Sequence, residues 1–287
     1  MNTSTPTRRA TAWPAALVVT AATVQEVGAA LAVGLFDALG VTGTVFARFA
    51  VAGVVLLGFG RPRWRGLSAR AYRAIMALAL TLTAMNVCFY QALSRIPLGV
   101  AVTVEICGPL LLSVALRRRW LSWAWAALAF TGVALLGLGP GHLRPPSAAG
   151  LAFAVGAAAS WAGYIVATAH VGTMFDNLDA LALATAVGGL LTAPFAMASI
   201  EPHAALRWSV AGLAITVGLM CSVIPYSLEL ISLRSLSPST FAVLTSLSPA
   251  IAAFSGWLVL HQRFGESDYL GVALVMIAGI GAMRARP

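Results

Sequence analysis

Apolar stretches about as long as a bilayer is thick follow one another along the whole chain, separated by short polar turns. A helix needs roughly 20 mostly apolar residues to cross the hydrocarbon core. Ten stretches meet that length: 13–35, 41–60, 72–93, 97–116, 120–139, 148–171, 178–198, 208–232, 238–260 and 268–284. Turn residues punctuate them, among them Arg61-Pro62-Arg63, Gly139-Pro140-Gly141, Pro145-Pro146 and Glu201-Pro202. Only 9% of the 287 residues are charged, whereas a soluble domain carries about 25%. Neither a soluble surface nor a disordered chain can be built from this composition. In lipid the backbone must satisfy its own hydrogen bonds, which helices do. The expected fold class is an all-α polytopic membrane protein with ten transmembrane helices.

All 18 basic residues are arginine, and they cluster between the apolar stretches. That distribution is one of membrane topology and excludes a nucleic-acid partner. With the N-terminus inside, thirteen arginines fall on inner segments and four on outer ones. Positive residues favour the cytoplasmic side, so both termini are expected in the cytoplasm. The arginines at 61–73 and 117–119 are placed to meet anionic headgroups of the bilayer. The run after Arg8 and Arg9 continues to about Phe36 and reads as an uncleaved first helix. Cys88, Cys107 and Cys221 lie inside apolar stretches without a CxxC, which offers neither a disulfide framework nor a metal site. HExxH, Walker A and GxSxG motifs are absent, so the chain does not read as an enzyme and no cofactor is implied.

The two halves resemble each other. Gln91-Ala92-Leu93-Ser94-Arg95-Ile96-Pro97 stands 140 residues before Ile231-Ser232-Leu233-Arg234-Ser235-Leu236-Ser237, and Pro109 falls on Pro249 at the same offset. Gly132-Val133-Ala134 and Gly279-Ile280-Gly281 take similar places in the last span of each half. Five spans per half is an odd number, so residues 13–139 and 148–284 are expected to insert as inverted repeats. Inverted repeats place a substrate site near mid-membrane between the halves.

Ionisable groups inside a bilayer cost roughly 2.5–3.5 kcal/mol each on insertion scales and mark functional sites. Glu26, Arg48, Asn86 and Glu105 lie nine, seven, seven and eight residues from the outer ends of the first four spans. At 1.5 Å per residue each is roughly 10–14 Å deep, so four helices bring polar groups to one layer. Arg48 can hold a carboxylate through two parallel hydrogen bonds. Glu105 can accept an ammonium, and Asn86 and Gln25 can meet a side-chain hydroxyl. Trp161 and Tyr164 could form an aromatic wall from the second half, with Tyr90 and Tyr226 as further candidates. Glu26 could face an aqueous vestibule, and Glu229, near the inner end of its span, could serve the site or snorkel to the interface. The other readings are structural: Arg48 and Glu105 neutralising each other, Asn86 and Gln25 as helix–helix glue, the aromatics as packing. Pro109 and Pro249 would kink their helices beside the site. A proton on Glu105 or Glu26 is the coupling partner the sequence offers.

Several stretches resemble the drug/metabolite transporter superfamily with paired EamA-type domains, within it the bacterial inner-membrane threonine/homoserine exporters. They are Ile96-Pro97-Leu98-Gly99-Val100-Ala101-Val102, Glu105 with Gly108-Pro109-Leu110, Ser160-Trp161-Ala162-Gly163-Tyr164-Ile165 and Pro225-Tyr226-Ser227-Leu228-Glu229. The resemblance implies a secondary transporter of the bacterial cytoplasmic membrane that exports small amino acids by alternating access. The same architecture would serve another metabolite or a cationic drug. A membrane enzyme or sensor would need a catalytic cluster or a soluble domain, and neither is visible. The sequence neither requires nor excludes a homodimer.

Overall fold

The computed structural model describes residues 8–60, 62, 66–117, 120–138, 147–175, 179–201, 203, 207–233 and 244–284. The whole turn at 139–146, the start of the stretch at 238 and the repeat copy at 234–237 lie outside the described residues, as do Arg61, Arg63, Arg65, Arg118 and Arg119.

All regular structure among the described residues is helical. Helix α1 (Arg8–Ala32) passes through a 3-10 turn (Val33–Leu35) into α2 (Phe36–Gly60). The reversal is made at Gly40, whose φ of 67° and ψ of 171° suit glycine alone. The tip of the second half's α8 (Asp179–Ser199) closes over it. Ser199 Oγ donates to the Leu39 carbonyl at 3.2 Å, and the Glu201 N–H to the Ala38 carbonyl at 3.2 Å.

Helix α3 (Ala69–Leu93) starts at Ser68, whose hydroxyl accepts the Ala71 N–H at 3.2 Å. The stretch expected at 97–116 is two short helices, α4 (Leu98–Glu105) and α5 (Cys107–Arg117), interrupted at Ile106. Helix α6 (Trp120–Leu138) ends the first half. The second half holds α7 (Ala148–Val171), α8, α9 (Trp208–Gly218), a π-helical turn (Leu219–Val223), α10 (Ile224–Leu233), α11 (Ser248–Leu260) and α12 (Glu266–Arg284). Pro249 is the second residue of α11. Pro109 stands in the first turn of α5, and its missing N–H falls four residues after Glu105, where α4 ends and the helix is interrupted at Ile106.

Among the described residues, five segments are long and apolar enough to cross a membrane: Trp13–Gly60 taken as one run, Ala69–Leu93, Ala148–Val171, Asp179–Ser199 and Trp208–Leu228. Leu98–Leu112, Trp123–Leu136 and Ser248–Leu260 are shorter apolar helices. Large apolar side chains such as Phe59, Phe130, Leu190, Phe195 and Trp208 point outward, while much of the interior is alanine. A solvent of lipid explains this arrangement, since small residues let helix backbones approach and large ones can face acyl chains. Helix α3 packs against α7, α2 against α8, α6 against α12, and α4 against α11. Helix α1 packs against α10 and α11. The tightest approach is at Gly108, where a Cβ would sit 1.9 Å from the Ala158 carbonyl oxygen of α7. Buried threonines 44, 103, 185 and 192 bond carbonyls four residues back, so they bring no open polar group into the bilayer.

Candidate functional site

Arg48 stands on α2, 7% exposed, with every guanidinium nitrogen engaged by the protein. Nη1 donates to Asn86 Oδ1 on α3. Nη2 donates to the Cys221 carbonyl at 2.6 Å and Nε to Ser222 Oγ at 3.0 Å, both on the π-helical turn. The Cζ atom lies 5.8 Å from the centre of the Tyr90 ring, within cation–π range.

The π turn has a local cause. Pro225 has no N–H and its ring crowds the carbonyl four residues back, which is that of Cys221. The helix widens over Leu219–Val223, and the Ile224 N–H bonds the Leu219 carbonyl instead. The Cys221 oxygen is thereby left for Arg48. Single π turns inside α-helices frequently mark functional sites.

Beside the guanidinium lies a cavity of about 170 Å³, several times what one water needs. Its wall takes Gln25, Glu26 and Ala29 from α1, Arg48 from α2, and Met85, Asn86 and Phe89 from α3. Glu105 closes α4, Trp161 and Tyr164 come from α7, and Cys221 and Tyr226 from the π turn and α10. Residues of both halves therefore share one chamber.

The carboxylates of Glu26 and Glu105 lie within electrostatic reach of Arg48 and of each other. Among the described residues neither accepts a hydrogen bond or forms an ion pair. Arg48 and Glu105 are therefore not a closed structural pair: the neutral acceptors of α3 and the π turn hold the guanidinium, and Glu105 is left facing the chamber.

Eight of the ten polar and aromatic residues singled out by sequence border this chamber. Asn86 does so as a holder of Arg48, its amide nitrogen committed to the Leu82 carbonyl at 2.8 Å. Tyr90 lies behind the wall, fully buried between Phe36 and Phe89 in edge-to-face contacts, with its hydroxyl towards Cys221 Sγ at 3.8 Å. Glu229 is on α10, and its side chain lies outside the described residues. Sequence reasoning missed Met85, Phe89, Cys221 and Ser222. Pro225 was the available signal, because its position names the carbonyl it sets free.

A bundle that is apolar outside and ionisable at its centre is a polytopic membrane protein of the transporter class. The chain belongs to the EamA-like transporter family, which residues 148–283 match. The threonine/homoserine exporter RhtA of Escherichia coli (strain K12) is 33% identical over 269 residues, covering 93% of this chain and 89% of that protein. RhtA of Salmonella typhimurium (strain SL1344) is 31% identical over 280 residues, covering 96% and 93%. A probable terminal-alkyne amino-acid exporter of Streptantibioticus cattleyicolor is 28% identical over 283 residues, covering 94% and 93%. A crystal structure 19% identical in sequence superposes with a TM-score of 0.62 over 93% of this chain and 96% of its own, which is a likeness of fold. The named relatives are transporters rather than enzymes.

Proposed function

We propose that the chain exports small amino acids of the threonine/homoserine type across the bacterial cytoplasmic membrane, and that the shared chamber binds them. The observation that carries this reading is the chamber's composition. One guanidinium and two carboxylates without hydrogen-bond or ion-pair partners among the described residues border a cavity sized for a small molecule. An α-amino acid presents the complementary ends, a carboxylate for Arg48 and an ammonium for Glu105. The names of the relatives agree with that chemistry.

The proposed route is alternating access by two inverted five-span halves. Helix pairings support it. The contacts of α3 with α7 and α8 are matched by those of α10 with α1 and of α9 with α2. Contacts of α4 and α5 with α7 are matched by those of α11 with α1, while α2–α8, α4–α11 and α6–α12 pair across the halves. A two-fold axis in the membrane plane generates such a pattern. In this topology both termini are cytoplasmic, as the arginine distribution requires.

Purified protein in proteoliposomes loaded with labelled threonine or homoserine tests the reading, beside a panel of unrelated cargoes. Threonine and homoserine efflux is expected. Arg48→Ala and Glu105→Gln are each expected to lower it by about 100-fold, the effect of removing a charge-assisted hydrogen bond from a dry site. Normal insertion of both variants with undiminished efflux would place the site elsewhere.

A further inference from the structure

The chamber holds one more acid than a monoamino cargo can answer. Arg48 supplies one fixed cation, and Glu26 and Glu105 two carboxylates. A zwitterion adds one charge of each sign: its carboxylate answers Arg48, its ammonium answers Glu105, and Glu26 is left to a proton. Yet Glu26 is 4% exposed, borders the chamber and has no hydrogen-bond or ion-pair partner among the described residues. A lone carboxylate at this depth is costly. A ligand that brings a second ammonium removes that cost.

We propose that the chamber also takes short diamino acids as cargo, a class of substrate beyond the hydroxy amino acids and resting on the same assignment of the chamber. The α-carboxylate meets the Arg48 guanidinium, the α-ammonium meets Glu105, and the side-chain ammonium meets Glu26. Phe89, Trp161 and Tyr164 line the same chamber, and aromatic faces favour cations. A volume of about 170 Å³ selects a short spacer between the two ammonium groups.

Proteoliposomes carrying the full chain, loaded in parallel with labelled homoserine and labelled 2,4-diaminobutyrate, provide the test. Both are expected to leave, and unlabelled diaminobutyrate is expected to inhibit homoserine efflux at concentrations no higher than unlabelled homoserine needs. Glu26→Gln is expected to lower the ratio of diaminobutyrate to homoserine efflux about tenfold, and Glu26→Asp to lower it less. Homoserine efflux with neither diaminobutyrate efflux nor competition overturns the inference, as does a ratio that Glu26→Gln leaves unmoved. Diaminobutyrate efflux without homoserine efflux overturns the hydroxy amino acid reading and supports this one. Should Glu26→Gln fail to insert, competition in the unaltered protein decides.

Discussion

At the residue scale the site turns on how Arg48 is held. Its three nitrogens bond three neutral acceptors on two other helical segments, α3 and the π turn. A charge held by neutral dipoles keeps its field for a ligand, whereas a charge locked to a carboxylate would not. A hydrogen bond to a charged group contributes about 1.5–3 kcal/mol. Ser222→Ala is therefore expected to weaken apparent cargo affinity by about tenfold, and Ser222→Thr to restore most of it, read by counterflow of labelled threonine. Arg48→Lys is expected to lose at least about 100-fold, since one ammonium cannot span acceptors that a planar fork reaches in different directions. Equal transport by Ser222→Ala and the unaltered protein would show that the hydroxyl is only a packing neighbour.

At the scale of elements, two local irregularities shape the chamber. One is the π turn caused by Pro225. Pro225→Ala restores an N–H four residues after Cys221, which competes with Arg48 for that carbonyl. Mid-helix proline removal also favours a regular helix. The expected result is a thermal midpoint equal to or above that of the unaltered protein, together with about tenfold slower efflux. A fall in both would mean that the turn is needed for folding rather than for holding Arg48. The other irregularity is the interruption at Ile106, followed by Gly108 lying against the Ala158 carbonyl. This close approach fixes the spacing between Glu105 and the aromatic residues of α7. Gly108→Ala must push the two backbones apart, and overpacking costs typically 1–3 kcal/mol. The thermal midpoint in detergent is expected to fall by several degrees, while Gly58→Ala, with open space around it, is expected to leave it unchanged. That the chain is a bundle of apolar helices was legible because crossing a bilayer demands about twenty apolar residues whatever their neighbours. The gathering of Glu26, Arg48, Asn86 and Glu105 at one chamber was legible because charge inside lipid is too costly to occur without a role. The role of Ser222 was not, because it depends on Arg48, far away in sequence. Pro109 marked an irregularity near Ile106, but the close approach of Gly108 to Ala158 of α7 depends on a distant segment and was not legible. Tyr90 was misplaced for a related reason: an aromatic residue one turn from Asn86 shares its depth, but its buried face against Phe36 and Phe89 is decided by tertiary packing.

For the whole molecule, the unit that matters is the pair of halves. Helices of both contribute to the chamber wall, so neither half alone completes it. Cross-half bonds also tie the loop ends together: the Leu98 N–H at the start of α4 bonds Gln262 Oε1 just before α12 at 3.1 Å, and α8 closes over the Gly40 reversal. If each half crosses the membrane five times, the segment joining them lies on the face opposite both termini. This can be read without any transport assay. A phosphatase that is active only outside the cytoplasm is expected to be active when fused after residue 146 and inactive when fused after residue 287. A fluorescent protein that matures only in the cytoplasm should give the reverse. Active phosphatase at both positions, or at neither, would give the first half an even number of crossings or place the C-terminus outside. Either result would remove the opposed insertion on which rocking of the halves depends. It would also make the matched pairings of α3 with α7 and of α10 with α1 a coincidence of packing rather than the imprint of a two-fold axis.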